Sequence, residues 1–341
     1  MVTSDSALRL GVDLGGTKTE AVVLRVGPDE PEIVARLRRA TPREGGYEAI
    51  VAGTGELIGE VAVLAGLRTL PPIGVGMPGS VTMKRADGSR SDVPLVKNSN
   101  TTCLNGRPFR ADLVRALEGV GRESVGHGAG PGGLPVAFAN DANCFALAEA
   151  RYGAVRGARV AFGVILGTGV GGGVVLAHGD GADDVQAWDG LHGIAGEWGH
   201  VVLDAVGGLP CYCGRRGCIE TVLSGPALEA AYAARSGARL SLAAIAAARD
   251  VDVHARAVIG EMIENFGRAV ATLIDILDPD AIVLGGGVSN LDVLYEEGPA
   301  SVARWVFNDE LRTPIVKNAL GDSAGVLGAA LLPGPPRPVG Q

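Results

Sequence analysis

Runs of aliphatic and β-branched residues broken by glycines recur along the chain, and their period separates strands from helices. Residues 8–14 (LRLGVDL) form a short apolar run stopped by Gly15-Gly16, and residues 19–26 resume it, so the pattern predicts a hairpin closed on a glycine turn. A third strand is expected over 33–39. Residues 47–67 carry an apolar repeat at helical spacing, 73–77 read as a strand stopped by Pro78-Gly79, and 109–117 read as a helix. A strand over 135–139 ends in Asn140-Asp141, and a helix follows over 142–152. The pattern then restarts, with strands at 159–166 and 174–178 and an irregular polar region up to Cys218. Three helices are expected between 224 and 277, the last long and stopped before Asp278-Pro279. A strand at 281–284 ends in Gly285-Gly286-Gly287, and a short helix over 325–332 closes the pattern before a proline-rich tail. Residues 121–133 (GRESVGHGAGPGG) read as a surface loop or insertion, with His127 in solvent.

The restart is also visible residue by residue. GVDLGGTKTEAVVL from Gly11 and GVILGTGVGGGVVL from Gly163 align without a gap, with seven of fourteen positions identical. Two α/β units of like topology, each lending a glycine turn to one cleft, account for this; a shared bias toward Gly and Val is the competing explanation. The length of 341 residues fits two domains, each able to bury its own core.

Composition narrows the function. Thirty basic against 38 acidic residues leave a net charge of −8, which argues against nucleic acid as a partner. No apolar run approaches the roughly 18 residues of a membrane-spanning helix, and the start, MVTSDSALRL, has no basic or long apolar leader, so a cytoplasmic chain is expected. Six Phe, five Tyr and three Trp stand beside 53 glycines. The cores must therefore pack on aliphatic residues, and glycines at the ends of β-branched runs suggest tight turns or close approach of backbone to a ligand. Five cysteines are an odd number, three of them in CYCGRRGC, a pattern better suited to a metal than to disulfides.

Gly167-Thr168-Gly169-Val170-Gly171-Gly172 formally fits the dinucleotide fingerprint, but a strand rather than a helix follows it, and no Gly-Lys-Ser/Thr occurs for a P-loop. Glycine turns can still point successive N–H groups at an anion. Two facing turns, Gly15-Gly16-Thr17-Lys18 and Gly167 to Gly171, would hold a polyphosphate; two ordinary hairpins are the alternative. Asp13 suits an outer-sphere partner of Mg²⁺ riding on the phosphates, and Thr17 adds a hydroxyl. Asp141, at a strand end beside Asn140, is placed to act as general base toward an alcohol, the alternative being a helix N-cap. His200 with Cys211, Cys213 and Cys218 offers a closed tetrahedral set for structural Zn²⁺, against a reading of buried or redox-active thiols. Zinc there would hold Glu197 and Glu220 close by, and two fixed carboxylates suit the hydroxyls of a polyol. Cys103 and Cys144 lie outside the cluster, and His192 and His254 are expected to be structural or exposed.

Taken together, DLGGTKTE, GMPGS, NSNTTCLNGRPF, NDAN, GTGVGGG, AGEWGH, CYCGRRGCIET and DPDAIVLGGGVSN resemble the ROK family of sugar kinases and repressors over nearly the whole chain. Residues 97–109 and the joined AGEWGH and CYCGRRGCIET segments are most similar to bacterial fructokinases, including those that accept mannose. The resemblance implies an actin/hexokinase-like (ribonuclease H-like) α/β fold. Residues 1–141 with 321–341 would form the smaller unit, and residues 142–320 the larger one with the zinc loop. It further implies Asp141 as catalytic base, and Gly79, Asn98, Asn100, Asn140, Glu197, His200 and Glu220 as sugar contacts. His200 would serve zinc and sugar through its two ring nitrogens. Gly15 to Lys18 and Gly167, Thr168, Gly169 and Gly171 would bind ATP phosphates with Mg²⁺, and Gly285, Gly286 and Gly287 would lie near the adenosine. A homodimer acting on a hexose and ATP is implied.

An ATP-dependent hexose kinase, most similar to a fructokinase phosphorylating the 6-hydroxyl, uses all of these parts. Glucokinase, mannokinase or N-acetylhexosamine kinase activity are the alternatives within the family. A sensor would need only the sugar contacts, and a zinc-stabilised interaction protein neither turn. Only twelve residues precede Asp13, too few for the helix-turn-helix that the family's repressors carry.

Overall fold

The computed structural model describes residues 8–27, 29–123, 134–178 and 184–333. The first half holds β1 (Leu8–Leu14), β2 (Lys18–Arg25), β3 (Glu32–Ala40), α1 (Gly46–Leu64), β4 (Ile73–Met77), β5 (Ser80–Lys84), β6 (Arg90–Lys97), α2 (Phe109–Glu123) and β7 (Val136–Asn140). After α3 (Asp141–Tyr152) come β8 (Val160–Leu166), β9 (Val170–Ala177) and β10 (Val185–Ala187). Then follow α4 (Glu220–Leu223), α5 (Gly225–Ser236), α6 (Leu242–Ala248), α7 (Val253–Leu277), β11 (Ala281–Gly285), α8 (Val293–Glu296), α9 (Gly298–Ala303), β12 (Ile315–Lys317) and α10 (Ala324–Leu331).

The two halves repeat one topology. One sheet runs β3-β2-β1-β4-β7 and the other β10-β9-β8-β11-β12. In each, a meander of three antiparallel strands is extended by two parallel ones. The repeat expected from the two glycine turns thus extends to whole sheets. The β5–β6 hairpin was not foreseen, because charged and proline residues interrupt its alternation.

The period of two along each strand sorts its residues between two layers. Leu10, Val12 and Leu14 of β1 and Ile73, Val75 and Met77 of β4 pack into a core with α1 and α2. Phe162, Val164 and Leu166 of β8 and Ile282 and Leu284 of β11 pack with α7 in a second. Glycines take several of the intervening positions (Gly11, Gly74, Gly76, Gly163 and Gly285), beside Ala161, Ile165 and Val283, and this face packs on α3 and α10, which lie between the sheets with Phe145, Ala146, Val326 and Leu327 in a third core. A methyl group on Gly11 would meet the Val326 carbonyl at 2.4 Å, one on Gly74 the Ala329 carbonyl at 1.7 Å, and one on Gly163 the Ala146 side chain at 2.6 Å. Many glycines thus serve helix-to-sheet approach within the fold rather than approach to a ligand, which corrects the expectation from composition.

A buried carboxylate ties this layer together. Glu149 of α3 is fully buried and accepts hydrogen bonds from the N–H groups of Ala154, Ala319 and Leu320, the latter two on the segment leading into α10. Helix α2 runs on to Glu123, so residues 121–123 are helical where a loop was expected, continuing the helix whose Leu113 and Leu117 are buried. The remainder of that stretch, including His127, and the proline-rich tail from residue 334 lie outside the described residues. Among the described residues no helix is long and apolar enough to cross a membrane.

Gly328 of α10 faces the Cys144 carbonyl oxygen of α3, where an added methyl would lie 1.7 Å away. Gly328→Ala should force the two helices apart and cost more than about 2 kcal/mol. Gly260, exposed on α7 with nothing within 4 Å of such a methyl, is the control: Gly260→Ala should stabilise by roughly 0.5–1 kcal/mol. Thermal and denaturant unfolding of the two variants checks both signs.

Candidate active site

Asp141 is the first residue of α3, and the N-cap is Asn140. The Asn140 Oδ1 accepts from the Ala142 N–H at 2.9 Å while its Nδ2 donates to the Gly79 carbonyl at 3.1 Å, so the capping alternative falls to Asn140 and joins β7 to the turn after β4. Asp141 Oδ1 also accepts from the Ala142 N–H at 2.9 Å. Burial pushes its carboxyl up to about 6; the Ala142 N–H opposes the shift and Glu197 adds to it. Asp13, on the inner face of β1, lies against Gly325 at the start of α10. Burial raises it to about 7, with Asp141 and Glu20 contributing and Lys18 and Arg38 opposing. The Asp141 charge thus bears on Asp13 and favours its protonated form.

The first glycine turn follows the strand that carries Asp13, and the second packs on the start of α3 beside Asp141. In the first, the Gly15 N–H donates to the Lys18 carbonyl, and Thr41 clamps it from β3's end, its hydroxyl donating to the Gly15 carbonyl at 2.7 Å and its N–H to the Thr17 carbonyl at 3.0 Å. Thr17 is exposed at the tip. In the second, the Gly167 N–H donates to the Gly169 carbonyl. Thr168 is exposed, and a methyl on Gly171 would contact Ala142 beside Asp141 at 3.7 Å. The Gly225 N–H, at the start of α5, donates to the Gly167 carbonyl. Gly285 packs on Phe145, Gly286 adopts φ +84° against the Leu166 carbonyl, and Gly287 faces open space. That open face adjoins the second turn and leaves room for a flat group beyond it.

A cavity of about 1080 Å³ opens between the β5–β6 hairpin and the segment after β10. Asn98, Glu197 and His200 line it, together with Val81, Leu191 and Ile194. Asn98 takes φ +60° there, and Asn100 lies further on, toward Gly16. Burial raises the Glu197 carboxyl, with His200 opposing and Glu220 adding. Glu220 points elsewhere than the cavity wall: it accepts from the Val170 N–H at 2.9 Å and so closes the second glycine turn.

The donor atoms of His200, Cys211, Cys213 and Cys218 all lie within 4.8 Å of one another. Sulfur 211 sits 3.6 Å from His200 Nδ1, and sulfurs 213 and 218 are 3.6 Å apart, spacings that tetrahedral Zn²⁺ with bonds near 2.0–2.3 Å accommodates. His200 Nε2 meets the Tyr212 hydroxyl at 2.9 Å, so the ring nitrogen expected to face a sugar is held by a tyrosine of the same loop. Cys103 and Cys144 are free and stand apart from the cluster.

Two polar groups near the first turn, Arg43 and Thr101, were missed in the sequence, whereas Asn100 was named there. Arg43, Asn100 and Thr101 converge on Gly16: a methyl built there would lie 3.6 Å from Thr101 Oγ1 and 3.9 Å from both Arg43 Nη1 and Asn100 Oδ1. The signal for Arg43 was the Thr-Pro-Arg that follows β3, since β3 returns antiparallel to the glycine turn. His192 is exposed, as expected, and stands at the cavity with His200.

Known proteins match this arrangement over almost its full extent. The ROK family profile covers residues 9–334. An N-acetyl-D-glucosamine kinase of Photobacterium profundum is 34% identical over 94% of this chain and 98% of its own length. The N-acetylgalactosamine kinase AgaK of a Shewanella species is also 34% identical, over 94% and 95%. Among solved structures, the ROK hexokinase from Thermus thermophilus superposes with a TM-score of 0.76 at 28% identity, covering 95% of this chain and 97% of that one. A ROK family glucokinase from Streptomyces griseus, in complex with glucose and AMPPNP, gives 0.69 at 28%, covering 95% and 98%. The duplicated sheets have the actin/hexokinase-like fold of these enzymes, and the chain belongs to the ROK family, among its sugar kinases.

Proposed function

We propose that the chain is an ATP-dependent hexose kinase that phosphorylates the 6-hydroxyl of an N-acetylhexosamine, N-acetyl-D-glucosamine first. The observation that carries the reading is Asp141: a half-buried carboxylate at the head of α3, raised to about 6 by desolvation with the charge of the cavity-lining Glu197 adding to it. Its carboxylate takes the proton of the sugar hydroxyl as that oxygen attacks the γ-phosphorus. The two turns present N–H groups to the phosphates, and Asp13 is the residue that would hold Mg²⁺ through its water. Bound there, Mg²⁺ neutralises phosphate charge. Gly285 to Gly287 would lie along the adenosine.

For the sugar, the curated relatives above act on N-acetylated hexosamines, by their names. The cavity supports the same choice, because Val81, Leu191 and Ile194 give it an apolar wall for an acetamido methyl beside the polar Glu197, His200 and Asn98. Fructose is the second reading, favoured by residues 97–109 and by the joined AGEWGH and CYCGRRGCIET segments. Asn100, Asn140, Gly79 and Glu220 complete the proposed sugar side, the last two through backbone they position. The cleft would separate residues 1–141 and 321–341 from residues 142–320, and the implied homodimer belongs to the same reading. Structural Zn²⁺ on His200, Cys211, Cys213 and Cys218 would fix the loop that carries Tyr212 and adjoins Glu220.

Asp141→Asn should lower kcat by roughly 10²- to 10⁴-fold while the hexose still binds, as read by coupled ADP release and equilibrium titration. Because the base must be ionised, wild-type kcat/KM should fall as pH drops through about 6, and Asp141→Asn should lack that limb. In a panel of N-acetyl-D-glucosamine, glucose, mannose and fructose, kcat/KM should favour the N-acetylated sugar by roughly 10-fold or more; fructose leading the panel decides for the second reading. Stoichiometric zinc should survive dialysis of the purified chain, as read by elemental analysis. Cys213→Ser should lose it and unfold at lower temperature.

A further inference from the structure

Beside the first glycine turn stands a cation that the phosphate-turn and sugar readings leave without a role. The Arg43 guanidinium makes no hydrogen bond or ion pair with any described residue, although the backbone of Arg43 is firmly placed. The Arg43 N–H donates to the Thr41 carbonyl at 2.8 Å, and Thr41 is itself clamped to Gly15 and Thr17. The guanidinium is thereby held over Gly16 by a path of two residues. Opposite it, Thr101 is 1% exposed, and its Oγ1 is buried with no hydrogen-bond partner. A buried hydroxyl left unpaired costs on the order of 1–3 kcal/mol, a cost that a ligand oxygen at this place would remove. The loop that bears Thr101 is fixed on both sides. Asn105 exchanges hydrogen bonds with Ser99 through its two amide atoms at 2.9 Å each, and the Thr101 N–H donates to Ser99 Oγ at 3.1 Å.

An unpaired guanidinium and an unpaired buried hydroxyl, both within 4 Å of a methyl built on one glycine, form the donors of a subsite for a compact anion, with the Asn100 Oδ1 at its edge. Its position identifies the anion: Gly16 belongs to the phosphate turn, and Asn100 and Thr101 belong to the segment that continues from Asn98 at the cavity wall. The subsite therefore lies where a phosphate turn meets the sugar side.

We infer that Arg43 and Thr101 are further catalytic residues that receive the phosphoryl group as it passes to the sugar and hold it in the sugar phosphate product. The inference rests on the kinase reading above. In the step, the bond from the γ-phosphorus to the ADP oxygen breaks and its electron pair stays on ADP. The sugar hydroxyl oxygen forms the new bond to phosphorus, and its proton passes to Asp141. Arg43 and Thr101 exchange no atoms. They donate hydrogen bonds to the equatorial oxygens, whose charge is greatest while both bonds are partial. Lys18 and the N–H groups of the turn remain on the nucleotide side, so the group in flight lies between positive charge on both flanks.

The test uses the full chain and two measurements. Arg43→Ala should lower kcat on the order of 10²-fold, Arg43→Lys should recover part of the loss, and Thr101→Val should lower kcat about 10-fold. Titrated without nucleotide, the best hexose of the panel should bind all variants within about twofold of wild type, since uniform binding is untouched. The 6-phosphate of that hexose should bind wild type more tightly than the free sugar, and Arg43→Ala should abolish the difference. A kcat within threefold of wild type for Arg43→Ala, or a 6-phosphate affinity that Arg43→Ala leaves unchanged, overturns the assignment. Absence of ADP release from wild type with every hexose overturns the kinase reading instead. The phosphate-dependent gain in affinity, measured then with N-acetyl-D-glucosamine and its 6-phosphate, still decides whether the anion subsite exists.

Discussion

The fold depends on backbone packing closely on backbone. Helices α3 and α10 lie between two sheets whose inner faces carry glycine and alanine, so carbonyl groups of one element fill the space where side chains of the other would stand. Gly328 against the Cys144 carbonyl and Gly74 against the Ala329 carbonyl are the tightest of these approaches. Close packing of this kind resists deformation, because interiors at native density have no slack into which a displaced helix can relax. Glu149 adds a polar counterpart, accepting from N–H groups on both sides of the same layer.

That rigid layer sets the chemistry, because the first residue of α3 is Asp141 and the first turn of α10 covers Asp13. Both carboxylates are half-buried against this layer, and desolvation raises both. A carboxyl raised to about 6 is still mostly ionised at neutral pH, which suits the role of base proposed for Asp141. Asn140 takes over the capping of the helix and leaves Asp141 free for this work.

The sugar side is built differently, from loops rather than packed helices. The β5–β6 hairpin, the segment from Leu191 to Ile194 and the cysteine loop meet around the cavity with many exposed side chains. Backbone hydrogen bonds from Cys211 to Arg215, Gly217 to Leu209 and Ile219 to Val201 hold that loop, and a metal on His200, Cys211, Cys213 and Cys218 would cross-link it further. Tyr212 on His200 Nε2 shows that the two roles expected of this histidine compete: a sugar hydroxyl reaching that nitrogen must displace the tyrosine. Variation among the sugars of related kinases can be accommodated here without disturbing the layer that carries Asp141.

Much was legible in the chain before any coordinates, and the reason lies in local physics. The alternation of β1 and β8 and the glycine turns after them depend on neighbours two to fifteen residues away, and so did the proposals made for Asp13, Asp141 and the Cys-x-Cys-x₄-Cys cluster. What no local pattern holds is convergence. Arg43 and Thr101 stand far apart in sequence and meet at Gly16 only because β3 returns along β2 and the loop after β6 is locked by Asn105. The inner placement of the glycines, the turn of Glu220 toward the Val170 N–H and the pairing of Tyr212 with His200 likewise arise from long-range packing. A strand's period names the face on which a side chain lies; which element covers that face is decided when the sheets close on α3 and α10.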